Sequence, residues 1–507
     1  MKTYNGSRGT RFRSLPRLLV ALALALPMAA CDTDKIVEVE DPALRRPEDL
    51  NNAGAVPALV QGAFRQFVGG YSGFGDDSFL SASAAITDET YYGDTFITRL
   101  AADKRIVQAP VLGNITDPSF VRLQQSRLNA RRAFAVVNQF STSQSAADDA
   151  ITKAQLRTIE GYIYVTISEG FCGSVPFSVV PDSGPIDPTA IQFGDALNTA
   201  QMNDTAVVRF NEALALNPNN SLAAVGKARA LLNNGQYAAA AAAVSGVSTL
   251  FAFKLEHSAN TANENNPMFQ LEGNGRYGIS NLEGGLNGTA AINPSLINPP
   301  LTAPSAEGLP FRALQDPRVP FAPKPGNGVC FTTSIRCWLN NNYATNDNDV
   351  PLASGVEARL IEAEAALQAG DAATMMSRLN TLRTNVVTLL AVLYPDQKQT
   401  FPAPGTGGTV SLVPLADPGA GLSAADAFTA RRNLLFQERA LWLYNTGHRQ
   451  GDLRRLVRNY GLPSNSVFPS GPHFRGGVYG NDVAFPLPFQ ESNNTSYDPS
   501  TCDTTKS

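Results

Sequence analysis

The sequence predicts a mainly α-helical protein built of paired helices, carrying a large irregular, loop-rich portion. Three observations predict it. Small and aromatic residues recur at helix-pair spacing between residues 205 and 247. Apolar residues recur with a helical period near 50–70, 119–140, 148–169 and 423–460. From about 255 to 350 that period disappears and Asn, Gly and Pro dominate, over a stretch far longer than an ordinary connection.

The chain opens on Lys2, Arg8, Arg11, Arg13 and Arg17 without one acid, then an uncharged apolar run from Leu18 to Ala30, then Cys31. A basic n-region, an apolar h-region and small residues at the junction make residues 1–30 a signal peptide. The run of 13 residues is shorter than the roughly 20 needed to span a bilayer. Pro27-Met28-Ala29-Ala30-Cys31 resembles a lipoprotein signal, in which Cys31 becomes the lipidated first residue. Residues 31–50 then form an acidic tether, and residues 51–507 one α-rich body. Without the five leader cations, 35 Lys+Arg stand against 44 Asp+Glu, a formal −9 in place of −4. An acidic chain with no basic cluster argues against a nucleic-acid partner and against adhesion to anionic lipid, so the anchor has to be the lipid itself.

Within 205–247, Ala206, Phe210, Ala213 and Pro218 fall where a tetratricopeptide helix places its small, aromatic, small and terminating residues. Ala224, Ala228, Leu231, Gly235, Tyr237 and Ala240 continue the frame, and Ala363, Ala366 and Gly370 repeat it within 358–385. Alanine lets two helices approach closely, an aromatic ring fills the gap between pairs, and proline stops the helix. The segments Tyr71–Asp77 and Asp88–Thr95 read as Gly- and aromatic-rich loops. Further on, Ser423-Ala424-Ala425-Asp426 reads as a capping box, and Phe428, Leu435 and Trp442 form one stripe ending at Thr446-Gly447. A second helix runs from Gly451 to about Tyr460, completing a helix-turn-helix over 423–460.

Four cysteines follow Cys31. Cys330 and Cys337 enclose a short segment and, in an oxidising compartment, are expected to form a disulfide; Cys172 and Cys502 remain, their pairing left open. With histidine only at 257, 448 and 473, no His-rich metal centre is expected, and no cofactor is implied.

Five stretches, in this order, resemble the SusD/RagB family of nutrient-binding lipoproteins. They are the lipoprotein start; Leu156-Arg157 through Gly161-Tyr162-Ile163-Tyr164 to Gly173-Ser174-Val175-Pro176; Arg359-Leu360-Ile361-Glu362-Ala363-Glu364-Ala365-Ala366; Glu438-Arg439 with Gly447-His448-Arg449 and Asp452-Leu453-Arg454-Arg455; and Phe485-Pro486-Leu487-Pro488 with Glu491 and Asn493. The resemblance implies tetratricopeptide-like helix pairs with an irregular ligand-binding half. It also implies a lipid-anchored position on the outer membrane facing the exterior, a SusC-like TonB-dependent β-barrel transporter as partner, and capture of a glycan or peptide without cleavage. The charged set around Glu438 and Asp452 reads as a tie between two helices rather than a ligand site.

Family ligand sites use aromatic platforms with amide side chains, and two places fit that chemistry: Tyr91 and Tyr92, and Trp338 with Asn340 and Tyr343 beside Cys337. Two other functions compete. A surface glycoside hydrolase needs paired carboxylates about 5–9.5 Å apart, but no nucleophile-elbow, zinc-protease or phosphate-loop signature accompanies the acids. A tetratricopeptide scaffold that binds only proteins leaves the 255–350 insertion unexplained.

Overall fold

The computed structural model describes residues 52–73, 77–107, 115–140, 146–181, 188–281, 309–333, 335–395 and 412–507. The leader, Cys31, the tether and residues 282–308 of the insertion lie outside them.

Helices α1 (Val56–Tyr71), α2 (Phe79–Ile86) and α3 (Ile97–Asp103) lead to two long ones, α4 (Asp117–Gln139) and α5 (Ala146–Gly170). Val60, Ala63, Phe67 and Tyr71 give α1 one buried stripe, and that stripe lies along α4. The repeat region forms α6 (Thr199–Leu216), α7 (Ser221–Asn233) and α8 (Tyr237–Val244). Asn198 caps α6 through a reciprocal box with Gln201, and Asn220 caps α7 at the Ala223 N–H. Each cap satisfies backbone donors that a helix start leaves free.

Ala206, Phe210 and Ala213 are all buried, as the repeat frame requires. Phe210 fills the gap between helices, its ring edge-on to Tyr162 at 5.3 Å. Gly226 makes room for it: a β-carbon there would come within 2.4 Å of the Phe210 ring. The stack continues after α9 (Pro267–Gly273) and the single turn α10 (Phe311–Leu314) with α11 (Gly355–Gln368), α12 (Ala372–Thr384) and α13 (Val386–Leu393). Helix α8 packs on α11, and α11 on both α12 and the C-terminal α14 (Ala424–Trp442).

Ser423 caps α14 as the sequence predicts. That helix ends at Trp442, earlier than Thr446-Gly447, because the chain turns through Asn445 and Gly447 at φ +54° and +82°. It re-enters helix as α15 (Arg449–Arg458).

Among the described residues, four two-stranded antiparallel ribbons build the loop-rich part. Strand β1 (Thr90–Tyr92) pairs with β5 (Tyr277–Ile279), Tyr91 opposite Gly278. Strand β2 (Val175–Pro176) pairs with β3 (Ala196–Leu197), β4 (Ala252–Leu255) with β8 (Val350–Ser354), and β6 (Phe321–Pro323) with β7 (Trp338–Asn340). The loop expected at Asp88–Thr95 is therefore corrected to a strand flanked by turns. Its partner lies almost two hundred residues away, and three residues are too few to show a period of two.

Two disulfides close the loop-rich part. Cys330–Cys337 forms as expected, with Cα atoms 4.8 Å apart. Cys172–Cys502, left open by the sequence, also forms, at a Cα separation of 5.2 Å. It fastens the C-terminal tail beside Phe485, whose carbonyl accepts the Cys172 N–H at 2.8 Å.

The Cys172–Cys502 bond spans 330 residues, so Cys502→Ser is expected to lower stability by about 2–5 kcal/mol. Denaturant unfolding of oxidised wild type against the variant measures it.

Candidate functional site

The charged motif at the α14–α15 corner is built for holding elements together. Arg439 forks onto Asp452 with both bonds at 2.7 Å. Arg455 forks onto Glu364 of α11 at 2.9 Å and also reaches Asp452 at 3.0 Å. Arg229 of α7 pairs with Glu169 of α5 and meets the His448 ring at 3.0 Å. Arg449 forks onto Asp88, two residues before β1, at 2.7 Å. Arg318 and Arg383 share Glu438 at 2.6 and 2.7 Å. Nearly all of these side chains are buried, so the set is a structural tie, as the sequence implies. Burial opposes ionisation of Asp452, but Arg439 and Arg455 override it and hold the carboxyl well below the usual carboxylate range.

The five residues expected to contact ligand are mostly inside. Tyr91, Tyr92, Asn340 and Tyr343 are each no more than 2% exposed, and Trp338 is half-buried. The three phenols have found protein partners, whereas the Asn340 side-chain nitrogen and the Trp338 indole nitrogen have none among the described residues. The Tyr91 hydroxyl donates to the Arg336 carbonyl, and the Tyr343 hydroxyl to the Asn445 carbonyl at 2.9 Å. The Asn340 N–H donates to Glu272 at 2.6 Å, and Trp338 stands edge-on to Phe321 at 5.6 Å. An exposed platform at these positions is therefore corrected: the residues lie one layer beneath the surface, where a satisfied hydroxyl is cheaper to bury than to leave unpaired.

One of them, Tyr92, supports an exposed strip the sequence reading missed. The Tyr92 hydroxyl accepts the Phe96 N–H at 2.7 Å, fixing the residue that opens α3. The N–H of Gly93 donates to the Arg276 carbonyl at 2.8 Å. The disulfide loop is stitched to the same turn, Phe331 N–H to Gly275 at 2.9 Å and Thr332 N–H to Gly93 at 3.0 Å. These bonds set two phenylalanines at the surface, Phe96 at 55% exposure and Phe331 at 54%. The guanidinium carbon of Arg276 lies 5.4 Å from the first ring centre and 4.7 Å from the second, joining them into one strip. Arg99 flanks Phe96 at 4.9 Å.

Asp94 pairs with Arg276, and Asp77 with Arg99 at 2.8 Å. Burial works against the charge on Arg99, and Asp77 beside it more than offsets that, raising its pKa. Two clefts of about 510 and 630 Å³ elsewhere, one between α1 and β4 and one at the α6–α7–α8 turns, include none of these residues. The strip is an exposed surface, apart from both clefts. Phe96 directly follows the aromatic segment 88–95, and Phe331 directly follows Cys330. Both neighbourhoods were legible; which ring faces water was not.

A helical-repeat stack joined to a ribbon-and-loop part with an exposed aromatic strip defines the class of protein. The tetratricopeptide repeat family matches residues 198–249. No curated protein matches the sequence. Among solved structures, a SusD-like carbohydrate-binding protein from Bacteroides vulgatus ATCC 8482 superposes with TM-score 0.52 at 13% identity, over 79% of this chain and 83% of that one. A SusD/RagB family protein from Bacteroides thetaiotaomicron VPI-5482 gives 0.52 at 12% identity, over 86% and 94%. A laminarin-binding SusD-like protein gives 0.53 at 15%, over 88% and 98%. The chain has the SusD-like fold, as its motifs imply.

Two buried carboxyls set a pH dependence. Burial pushes Glu272 up to about 8, with the Asn340 N–H pulling back, and Glu89 likewise, against the Asn445 N–H. Folded Glu272 keeps its proton where the unfolded chain releases it, so its stabilising contribution is complete below about pH 4.5 and lost as pH rises through 8. Relative to Glu272→Gln, wild type is expected to lose up to about 1.4 kcal/mol per pH unit across that window. Melting curves of both proteins at pH 5 to 8.5 check it. Asp452→Asn, which leaves Arg439 short of a partner, is expected to cost about 3–5 kcal/mol near neutral pH, read by denaturant unfolding.

Proposed function

We propose that this chain is a surface-exposed, lipid-anchored binding protein that captures a glycan on the Phe96–Arg276–Phe331 strip. It delivers the ligand, without cleaving it, to a SusC-like TonB-dependent barrel in the outer membrane. The strip is the observation that carries the reading. Two rings more than half exposed, joined by the Arg276 guanidinium and held by hydrogen bonds and a disulfide, form an ordered aromatic surface to which a ligand can stack. Sugar rings present apolar C–H faces that pack on aromatic faces, while Arg99 and Arg276 offer donors to the hydroxyls alongside. The SusD-like fold supports the same reading, since two of the superposing proteins are named for carbohydrate and laminarin binding. Lipidation at Cys31 supplies the anchor. No described helix is long and apolar enough to cross a membrane, and the barrel provides the passage.

Phe96→Ala and Phe331→Ala are each expected to weaken glycan binding about tenfold or more, the order of one lost aromatic contact, with the circular-dichroism spectrum unchanged. Glycan-array binding followed by calorimetry measures this, and chromatography of the recovered glycan tests for cleavage. Wild-type affinity in both variants, or shortened glycan, removes the reading. Cys31→Ser is expected to move the protein from the membrane to the soluble fraction, and a TonB-dependent barrel to co-purify with wild type from detergent-solubilised outer membrane.

A further inference from the structure

We propose that the strip prefers anionic glycans, those carrying carboxylate or sulfate groups, and that Arg475 and Lys104 make the distinction. This rests on reading the strip as a glycan platform.

Among the described residues, the charges around the strip do not balance. Asp94 and Asp77 are committed to Arg276 and Arg99. Arg475 adds a third guanidinium on the same turn. Its Nη1 donates to the carbonyls of Asp94 at 2.6 Å and Tyr92 at 3.4 Å, and its guanidinium carbon lies 5.6 Å from the Tyr92 ring centre. It is therefore anchored to the backbone that carries Phe96, two residues beyond Asp94.

Lys104 joins it from the end of α3, its Nζ donating to the Gly476 carbonyl at 2.8 Å. Among the described residues, neither cation has a carboxylate within ion-pairing distance. The nearest acid in sequence, Asp103, is buried and bound to the His473 ring at 2.9 Å. Among the described residues, four cations thus stand against two available carboxylates beside the aromatic strip, in a chain whose formal charge is −4.

A local excess of positive charge on an acidic protein has a physical consequence. Carbonyl oxygens orient Arg475 without neutralising it, so its remaining N–H groups keep their full attraction for an oxyanion. A guanidinium matches the two oxygens of a carboxylate or sulfate as a fork, and backbone anchoring means that little side-chain freedom is lost on binding. The acidic remainder of the chain repels the same ligand, so an anionic glycan is directed to this edge. A neutral glycan stacks on Phe96 and Phe331 but gains nothing from Arg475 or Lys104.

The test compares glycans that differ in charge alone: polygalacturonate with its methyl ester, and a sulfated galactan with its desulfated form, within an array that also holds neutral glucans. The purified full chain is expected to bind the charged member of a pair about tenfold more tightly, equivalent to about 1.4 kcal/mol. The preference is expected to shrink as NaCl rises from 0.05 to 0.5 M. Arg475→Gln is expected to remove most of the preference, and Lys104→Gln, at a half-exposed position whose loss leaves packing intact, to reduce it.

Phe331→Ala is expected to weaken both members of a pair alike. Equal or tighter binding of the neutral members, with the effect of Phe331→Ala retained, overturns the anionic preference while leaving the platform standing. A preference that survives both charge variants overturns the assignment to Arg475 and Lys104. Failure to bind any glycan, charged or neutral, removes the platform itself.

Discussion

The buried arginine–carboxylate network at the α14–α15 corner is the constraint on which the rest of the molecule depends. Arg455 and Arg439 tie the corner to Glu364 and Asp452, while the Arg229–Glu169 pair, meeting His448, brings in α7 and α5 of the repeat stack. On the other side, Arg449–Asp88 and Arg318–Glu438 fasten the start of β1 and the loop before β6. Charges taken this far out of water stabilise only when paired and well hydrogen-bonded, and forked guanidinium geometry meets two lone pairs at a time. One corner therefore sets the position of the helical stack against the ribbons, and Gly447 at its centre leaves no room for a β-carbon against the Tyr71 hydroxyl.

From Asp88 the dependence runs outward to the surface. Anchoring Asp88 places β1, and pairing with β5 fixes its direction. The Tyr92 hydroxyl then holds Phe96, and Gly93 holds both Arg276 and Thr332. Cys330–Cys337 keeps the segment bearing Phe331 short and confined. An exposed phenylalanine on a free loop would lose much of its contact energy to the entropy of being ordered by ligand; one already held in place loses little. The repeat stack contributes no ring to the strip, and its part is rigidity.

The burial of Tyr91, Tyr92 and Tyr343 follows from the same economy of polar groups. Each lies next to turns whose carbonyls or N–H groups lack a ladder partner, and a phenol supplies one while filling volume. These rings stand close to the surface in sequence and beneath it in space. Glu272 and Glu89 belong to this layer, carboxyls so enclosed that the neutral form is favoured near neutral pH.

The sequence by itself determined what is local. The helical period, the cap at Ser423, the small–aromatic–small frame around Phe210, and the short Cys330–Cys337 ring all depend on residues a few positions apart. The order of the charged motifs was equally legible, and with it the SusD-like fold. Only tertiary structure decided what depends on distant segments meeting. Strand β1 needed β5, Cys172 needed Cys502, and the exposure of Phe96 and Phe331 needed the Tyr92 hydroxyl, the Gly93 turn and Arg276 to converge. The physical reason is that a helix satisfies its own backbone within four residues, whereas a three-residue strand or a surface ring also depends on groups from distant parts of the chain. So the helical half was written in the order of its residues, and the binding strip only in their assembly.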